Sequence, residues 1–336
     1  MKAKKEDIIN NKRHKLEDVL PLATPYSLFI DPCNFCNFRC KFCAMQSSGE
    51  EFAFKKQLLP LERLKKVVDD LCDFPDRLRI LRLAAAGEPL LHPEFIEMVR
   101  YIKEKHVTDF LETVTNGSKL NPALNQALAD SGIDRIRISV EATSPEGYYE
   151  MTGVKIDFDQ FVANIKDLHD RCEGRCEVYV KTMDAATETK EKEERFYRLF
   201  EMCCDKIQIE HVIPGWPGWS KLEEEFDLQM VGLRGQKLQQ IEVCPFTFYT
   251  LVVNPDGEVT VCCADWQRKL VIGNIKNQSL MEIWNGKPLR TFWRDMLTGK
   301  RRKYEMCRVC QVPMFDCNDN IDAYAQQILQ RMPPVK

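Results

Sequence analysis

Short apolar runs alternate with longer stretches of helical period over most of the first 213 residues. Residues 26–30, 79–83, 110–114, 135–140, 177–181 and 206–210 read as strands. Between them, 60–72, 93–105, 122–131, 157–171 and 189–203 carry apolar residues three and four apart, which predicts amphipathic helices. Pro60, Pro93 and Pro122 stand near helix starts, where a missing N–H costs little. Counting the strand at 26–30 gives six β-α-type units, which predict an α/β fold with a parallel sheet and helices outside it. The pattern alone does not separate an open doubly wound sheet from a barrel. Both place ligands at the C-terminal ends of the strands.

Beyond residue 213 the alternation stops. Pro214-Gly215-Trp216-Pro217-Gly218-Trp219 is turn-rich, and the acidic Glu223-Glu224-Glu225 follows. Residues 250–261 read as a β-hairpin around a Pro255-Asp256-Gly257 turn. The chain is expected to divide into an N-terminal arm (1–24), a core (25–213), a linker (214–243), a small second domain (244–320) and a C-terminal helix or tail (321–336).

Composition changes this picture in one respect. The net charge of −3 gives no reason to expect nucleic acid or a charge-driven partner. No apolar run approaches the roughly 18 residues of a membrane span, and the first residues lack the apolar core of a signal peptide. Cytoplasmic location is the expectation. Fifteen cysteines are many for such a chain. Without a secretory signal they point to metal or iron–sulfur ligation rather than disulfides. Cys72 and Cys172 fall in helical patterns and read as core residues.

Three cysteines, Cys36, Cys40 and Cys43, follow the first strand with spacing x3 then x2. Three sulfurs on one tight loop can grip three irons of a [4Fe–4S] cluster and leave the fourth open for a ligand. A zinc knuckle is the competing reading. Ala86-Gly87-Glu88-Pro89 follows the second strand, Thr115-Asn116-Gly117 the third and Ser139-Val140-Glu141 the fourth.

The Cys loop after a first strand, with Gly87-Glu88-Pro89 one unit later, resembles the radical S-adenosylmethionine (SAM) enzymes over about residues 26–212. Ala86 stands where that family has a first glycine. The resemblance selects a partial (β/α)6 barrel of TIM-like form. It implies that SAM binds the open iron and is cleaved to a 5′-deoxyadenosyl radical, which takes a hydrogen atom from the substrate. By the same resemblance Gly87 and Glu88 meet the SAM amino group, and Asn116 and Ser139 approach its methionine and ribose parts. Lys181 reaches the carboxylate and Phe42 lies near adenine. A small ferredoxin or flavodoxin is the implied electron donor.

Further on, Cys244 is followed by 12 residues, Gly257, four residues and Cys262, and later by Cys307-x2-Cys310. Four thiolates suit a [4Fe–4S] cluster or a structural zinc equally well. The arrangement resembles the SPASM/twitch extension of radical SAM enzymes, in the form with one auxiliary [4Fe–4S] cluster seen in aminocyclitol dehydrogenases acting on 2-deoxy-scyllo-inosamine. Cys263 beside Cys262 is a second possible ligand, although hairpin spacing favours Cys262. Cys317 stands alone, and Cys33, Cys203 and Cys204 read as structural or free thiols.

The expected reaction is dehydrogenation or epimerisation of a small-molecule substrate: a sugar, aminocyclitol or nucleotide-linked carbohydrate. His211, Trp216 and Trp219 are expected at the substrate mouth, with His211 a candidate catalytic residue. One alternative is a peptide or protein maturase, although only about 24 residues precede the core. A metal-binding or electron-transfer scaffold without catalysis is the other.

Overall fold

The computed structural model describes residues 2–5, 14–47, 54–214 and 226–334. Trp216, Trp219 and the acidic run 223–225 lie outside these residues. Six strands form the core: β1 (Ser27–Ile30), β2 (Ile80–Leu83), β3 (Leu111–Thr115), β4 (Arg135–Ser139), β5 (Glu177–Met183) and β6 (Lys206–Glu210). Each pairs in parallel with its sequence neighbours. Three more strands, β7 (Thr250–Val253), β8 (Glu258–Thr260) and β9 (Val271–Asn274), complete one sheet of order β6-β5-β4-β3-β2-β1-β7-β8-β9. β6 and β9 are its two ends, so the sheet curves as a partial barrel without closing.

The two faces of the strands divide the labour. Ile136 and Ile138, Val178 and Val180, and Ile207 with the half-buried Ile209 pack in the core. The helices over this face supply one stripe each: Leu64, Val67, Val68 and Leu71 from Leu61–Leu71, and Phe161, Ile165 and Leu168 from Phe158–Cys172. Each such side chain, fully buried, contributes about 1.5–3 kcal/mol. The opposite face is polar. Arg82, Glu112, Arg135 and Glu177 are direct neighbours across β2 to β5. Lys206 joins them through a contact of 3.3 Å to Glu177. A second polar tier, Arg137 and Tyr179, lies above the first, and Ser139, Lys181 and Glu210 stand nearer the strand ends.

The C-terminal hairpin is more than an appendage. β7 lies parallel to β1 in full register, Ser27 opposite Thr250 and Ile30 opposite Val253. The hydroxyls of Ser27 and Thr250 meet at 2.6 Å in the interior. β1 therefore has no free edge, and the extension is built into the barrel sheet. The β7–β8 turn ends on Gly257, whose φ of +94° and close approach to Asn274 Oδ1 leave no place for a side chain.

At the other end, the first described residues of the N-terminal arm are tied to the sheet. The amides of Ala3 and Lys4 donate to the carbonyls of Glu201 and Asp205, and Ile207 donates back to Lys4 at 3.1 Å. This covers the edge of β6, a common protection for an exposed strand. Cys172 is buried as expected, whereas Cys72 is exposed because it caps the helix end rather than facing the stripe. No helix among the described residues is long and apolar enough to cross a membrane.

Replacing Thr250 by Val takes away the 2.6 Å partner of the buried Ser27 hydroxyl, leaves it only the Tyr249 carbonyl at 3.4 Å, and is expected to cost about 1 kcal/mol. The double variant Ser27→Ala/Thr250→Val should cost less than the sum of the two single changes. Thermal unfolding of the four proteins measures this, and simple additivity would rule the pairing out as a joint between core and extension.

Candidate active site

β1 leads through the buried Asp31 into the cysteine loop, and that loop is held from two sides. The amides of Arg39 and Lys41 donate to the carbonyls of Thr152 and Met151, at 2.9 and 3.0 Å. Phe38 packs edge-on against Tyr148, with ring centres 6.3 Å apart. Both contacts come from helix Pro145–Thr152, which hydrophobic patterning does not reveal. From the other side comes Gly87. A methyl group there would sit 1.9 Å from the Cys33 carbonyl oxygen and 2.5 Å from that of Phe35. Only glycine lets the two loops lie this close, and the Glu88 amide bonds Phe35 O at 3.0 Å as a result.

Cys36, Cys40 and Cys43 line the resulting cavity, of about 570 Å³. Cys36 Sγ accepts from the Phe38 amide at 3.4 Å and from Asn116 Nδ2 at 3.6 Å. Burial pushes the Cys40 thiol well up, and the negative field of Glu141 adds to this. Among the described residues no three His, Cys, Asp or Glu side chains gather round a single ion. A four-iron cluster takes each cysteine on a separate iron and needs no such point. Three thiols on one braced loop, one with amide donors already aimed at its sulfur, fit such a cluster.

The other residues anticipated from the sequence surround the same space. Gly87, Glu88, Asn116, Ser139, Lys181 and Phe42 all line it. Glu88 is not an open carboxylate, however. Its Oε1 accepts from Leu90 N at 3.0 Å and Thr115 Oγ1 at 2.6 Å, and its Oε2 accepts from Asn116 N at 2.7 Å. Three of a carboxylate's roughly four lone-pair sites are thus taken. Glu88 braces the strand ends and leaves one acceptor direction for a ligand ammonium.

Charged residues with no anticipated role complete the cavity. Burial pushes Glu141 up to about 7, against the opposing charge of Lys181. Burial would also raise Glu210, but Lys181, whose Nζ lies 2.7 Å away, and Arg137 overcome it and hold Glu210 at about 2. Arg82 and Arg137 line the cavity below them. The signal for these residues was polar alternation: Arg135, Arg137 and Ser139, or Lys206, Gln208 and Glu210, repeat every second residue on strands whose other face is aliphatic.

The second set of cysteines opens on the same cavity. Cys262 and Cys263 line it from the far side. Their thiols lie close enough to perturb each other, as do those of Cys244 and Cys317. Cys307 and Cys310 both lie within the electrostatic reach of Cys244, with Arg301 as the nearby cation. Six thiols therefore gather here, including all four anticipated ligands, so Cys263 and Cys317 also stand within the set. Such a group around a cation could hold an iron–sulfur cluster.

His211 falls elsewhere. Its Nδ1 lies 2.9 Å from Asp184 Oδ2, and it lines a separate cavity of about 590 Å³ with Tyr197 and Phe226. Its neighbour Glu210 faces the cysteine cavity instead, as alternation along an extended chain requires, and Val212 borders both cavities.

A partial parallel barrel, with three loop thiols and a glycine-tight turn over a polar cavity, defines an iron–sulfur enzyme of the SAM-radical class. The chain belongs to the radical SAM superfamily, whose family model matches residues 30–200, just over half its length. A second model, of an iron–sulfur cluster-binding domain (SPASM), matches residues 244–311. Membership implies a [4Fe–4S] cluster and SAM in the core, and an auxiliary iron–sulfur cluster in the extension.

Among curated proteins, the chain is similar to a GTP 3′,8-cyclase of Trichormus variabilis, at 36% identity over 118 residues, or 35% of each chain. A probable GTP 3′,8-cyclase of Thermococcus kodakarensis is 37% identical over 121 residues, 35% of this chain and 36% of its own. The chain thus matches only about a third of the length of these relatives.

Among solved structures, BtrN in complex with AdoMet and 2-DOIA superposes with a TM-score of 0.55 at 18% identity, covering 85% of this chain and 92% of BtrN. SuiB of Streptococcus suis bound to precursor peptide SuiA gives 0.62 at 14%, covering 89% and 72%. At these identities both show the shared fold.

Two expectations follow from this geometry. Gly87→Ala should displace the cysteine loop and lower the iron bound by the core, whereas Ala86→Gly should not. Equal iron content in the two variants would show that the loop tolerates the methyl.

The second concerns Asp31, which is fully buried and whose carboxylate is approached by the amides of Ala86, Gly87 and Cys33 without either oxygen reaching full hydrogen-bond geometry. Burial lifts its carboxyl to about 7 from the ordinary 3.8. Unfolded chain ionises first as pH rises, so this group's contribution to stability falls from about pH 4 to pH 7 and is flat above. Asp31→Asn should therefore gain more in Tm over the natural protein at pH 8 than at pH 5.5. An equal difference at both values would mean that Asp31 is ionised throughout.

Proposed function

We propose that this protein is a radical SAM oxidoreductase or epimerase acting on a polyhydroxylated small molecule: a sugar, an aminocyclitol or a nucleotide-linked carbohydrate. One observation carries the reading. The first cysteine set, together with Cys262 and Cys263, opens on a single cavity whose lining carries Arg82, Arg137, Ser139, Lys181, Glu141 and Glu210. Those side chains suit a substrate rich in hydroxyl groups, and Phe29, Phe246 and Trp266 in the same lining offer apolar faces to its carbon skeleton. BtrN, whose solved complex holds AdoMet and 2-DOIA and which is covered over 92% of its length, supports the reading at the level of architecture.

In this proposal Cys36, Cys40 and Cys43 hold the SAM cluster, and Cys244, Cys262, Cys307 and Cys310 hold the auxiliary one. Once bound, the core cluster supplies the electron that cleaves SAM to a carbon radical able to take a hydrogen atom from substrate. The chain's own residues bind and orient. Asn116 ties the Cys36 sulfur to the third strand end, and Gly87 lets the backbone approach the ligand. Lys181 offers a cation to a carboxylate. Glu141, poised near 7, can hold or release a proton beside it. Cys262 and Cys263 line the substrate space, so an auxiliary cluster held by the second set would supply an electron acceptor beside it, which is the basis for reading a net oxidation.

A second reading is favoured by the 36% identity, over 118 residues, to a GTP 3′,8-cyclase. There the substrate would be a nucleoside triphosphate, and the reaction a cyclisation.

The test is iron and sulfide content after anaerobic reconstitution, followed by SAM cleavage across a panel of cyclitols, nucleotide sugars and GTP. About eight irons, falling to about four in a Cys36/Cys40/Cys43→Ala triple variant, are expected for two four-iron clusters. At least a tenfold acceleration of SAM cleavage by a cyclitol or nucleotide sugar is expected. Acceleration by GTP alone would replace this reading with the cyclase one.

A further inference from the structure

Arg137 stands in the middle of β4, with its side chain only 7% exposed. A guanidinium in such a place normally has close partners, because leaving a buried cation unmatched is costly. Arg137 is only loosely matched. Glu112 lies 3.9 Å away, Arg137 Nη2 donates to Glu210 Oε1 at 3.4 Å, and the centre of the Tyr179 ring lies 5.5 Å from the guanidinium. Each of these carboxylates is better held by another cation. Arg82 Nε donates to Glu112 Oε1 at 2.6 Å, and Arg135 reaches its Oε2 at 3.2 Å. Lys181 holds Glu210 at 2.7 Å. The Nε of Arg137 is buried with no hydrogen-bond partner.

Charge along this wall is unequal in the same sense. Arg82, Arg135, Arg137, Lys181 and Lys206 face three carboxylates, Glu112, Glu177 and Glu210. Glu141, further along β4, is lifted to about 7 by burial. Arg234 and Arg268, also in the lining, are matched, to Asp316 and Asp256, and Asp316 also lies within the field of Arg137. The surplus of positive charge therefore lies where Arg137 lines the cavity. Burial, and then the neighbouring charge of Arg82, lower the Arg137 pKa, as expected of a cation awaiting a partner.

We propose that the substrate carries an oxyanion, a phosphate ester or a carboxylate, and that the cavity-lining, loosely matched guanidinium of Arg137 receives it at the floor of the barrel, away from the SAM side. A guanidinium edge matches two oxygens of one such group side by side. Arg137 then acts as a specificity residue, seating the substrate end that does not react. The inference rests on the proposed function in taking this cavity as the substrate site, and it narrows the substrate class to acidic derivatives.

The test uses reconstituted protein with SAM present. Inorganic phosphate and pyrophosphate probe the phosphate source, and malonate probes the carboxylate source. Each is titrated by calorimetry and by its effect on Tm, with sodium chloride at equal ionic strength as control. At least one anion is expected to bind and to raise Tm where chloride does not. Arg137→Gln should weaken that binding at least tenfold and Arg137→Lys less, because lysine keeps the charge but loses the fork. Iron content reports whether each variant is intact. If Arg137→Gln does not fold, the natural protein and Arg137→Lys decide.

The inference is overturned if no anion binds the natural protein below about 10 mM, a Kd that corresponds to little more than 2.7 kcal/mol. It is overturned equally if the variants bind as tightly as the natural protein. Acceleration of SAM cleavage by neutral cyclitols, with no anion binding, would retain the proposed function and discard this inference. Anion binding lost in Arg137→Gln, with no acceleration by any hydroxylated substrate, would do the reverse.

Discussion

The pairing of β1 with a strand on each side is the constraint on which the site depends. β1 carries the first cysteine loop at its C-terminal end. β2, on one side, carries Gly87, whose missing side chain lets the loop settle. β7, on the other, leads within ten residues to Cys262 and Cys263. Parallel register brings the ends of β1 and β2 to one level, while the antiparallel return of β8 carries Cys262 and Cys263 back to the level where β7 begins. The cavity between these levels is therefore lined by the first thiol set at one end and by Cys262 and Cys263 at the other. Neither set could be placed so by its own loop, since loops borrow their position from the strands that end in them.

The barrel interior reverses the usual rule for the inner face of a parallel strand. Parallel strands buried on both faces commonly read as continuous aliphatic runs. Here the inner face is a lattice of opposite charges, in which Glu112, fully buried, meets three arginines. Their combined field keeps it ionised although burial opposes this. Such a lattice is a poor source of stability, since desolvation consumes most of the attraction. It gives instead a rigid polar floor. The hydrophobic work of holding the sheet together falls to the other face and its helices.

Much of this was legible in the chain. Strands and helices of the core were, because aliphatic residues at period two and helical stripes at period 3.6 are strong local signals. The cysteine loop, Gly87, Asn116 and Lys181 were, because residue type and position at a strand end carry chemistry. Other features depended on distant partners. Nothing local says that 250–253 will pair with 27–30 in parallel, so the hairpin looked like a separate module. Glu88 looked like an open ligand because its three donors, Leu90, Thr115 and Asn116, become visible only in space. His211 sits one residue from a cavity-lining glutamate, and in an extended chain that single step turns it into a different cavity.

The β1–β7 pairing also sets an order of events at the ribosome. Ser27 and Thr250 are separated by 223 positions. At synthesis rates of about 5–20 residues per second, roughly 10–45 seconds pass between the emergence of the two strands. During that interval the nascent barrel has β1 as a bare edge, with the first cysteine loop beside it and none of the second set yet made. The earliest thiols must therefore be kept reduced, and that edge kept from other chains, by something other than the finished fold.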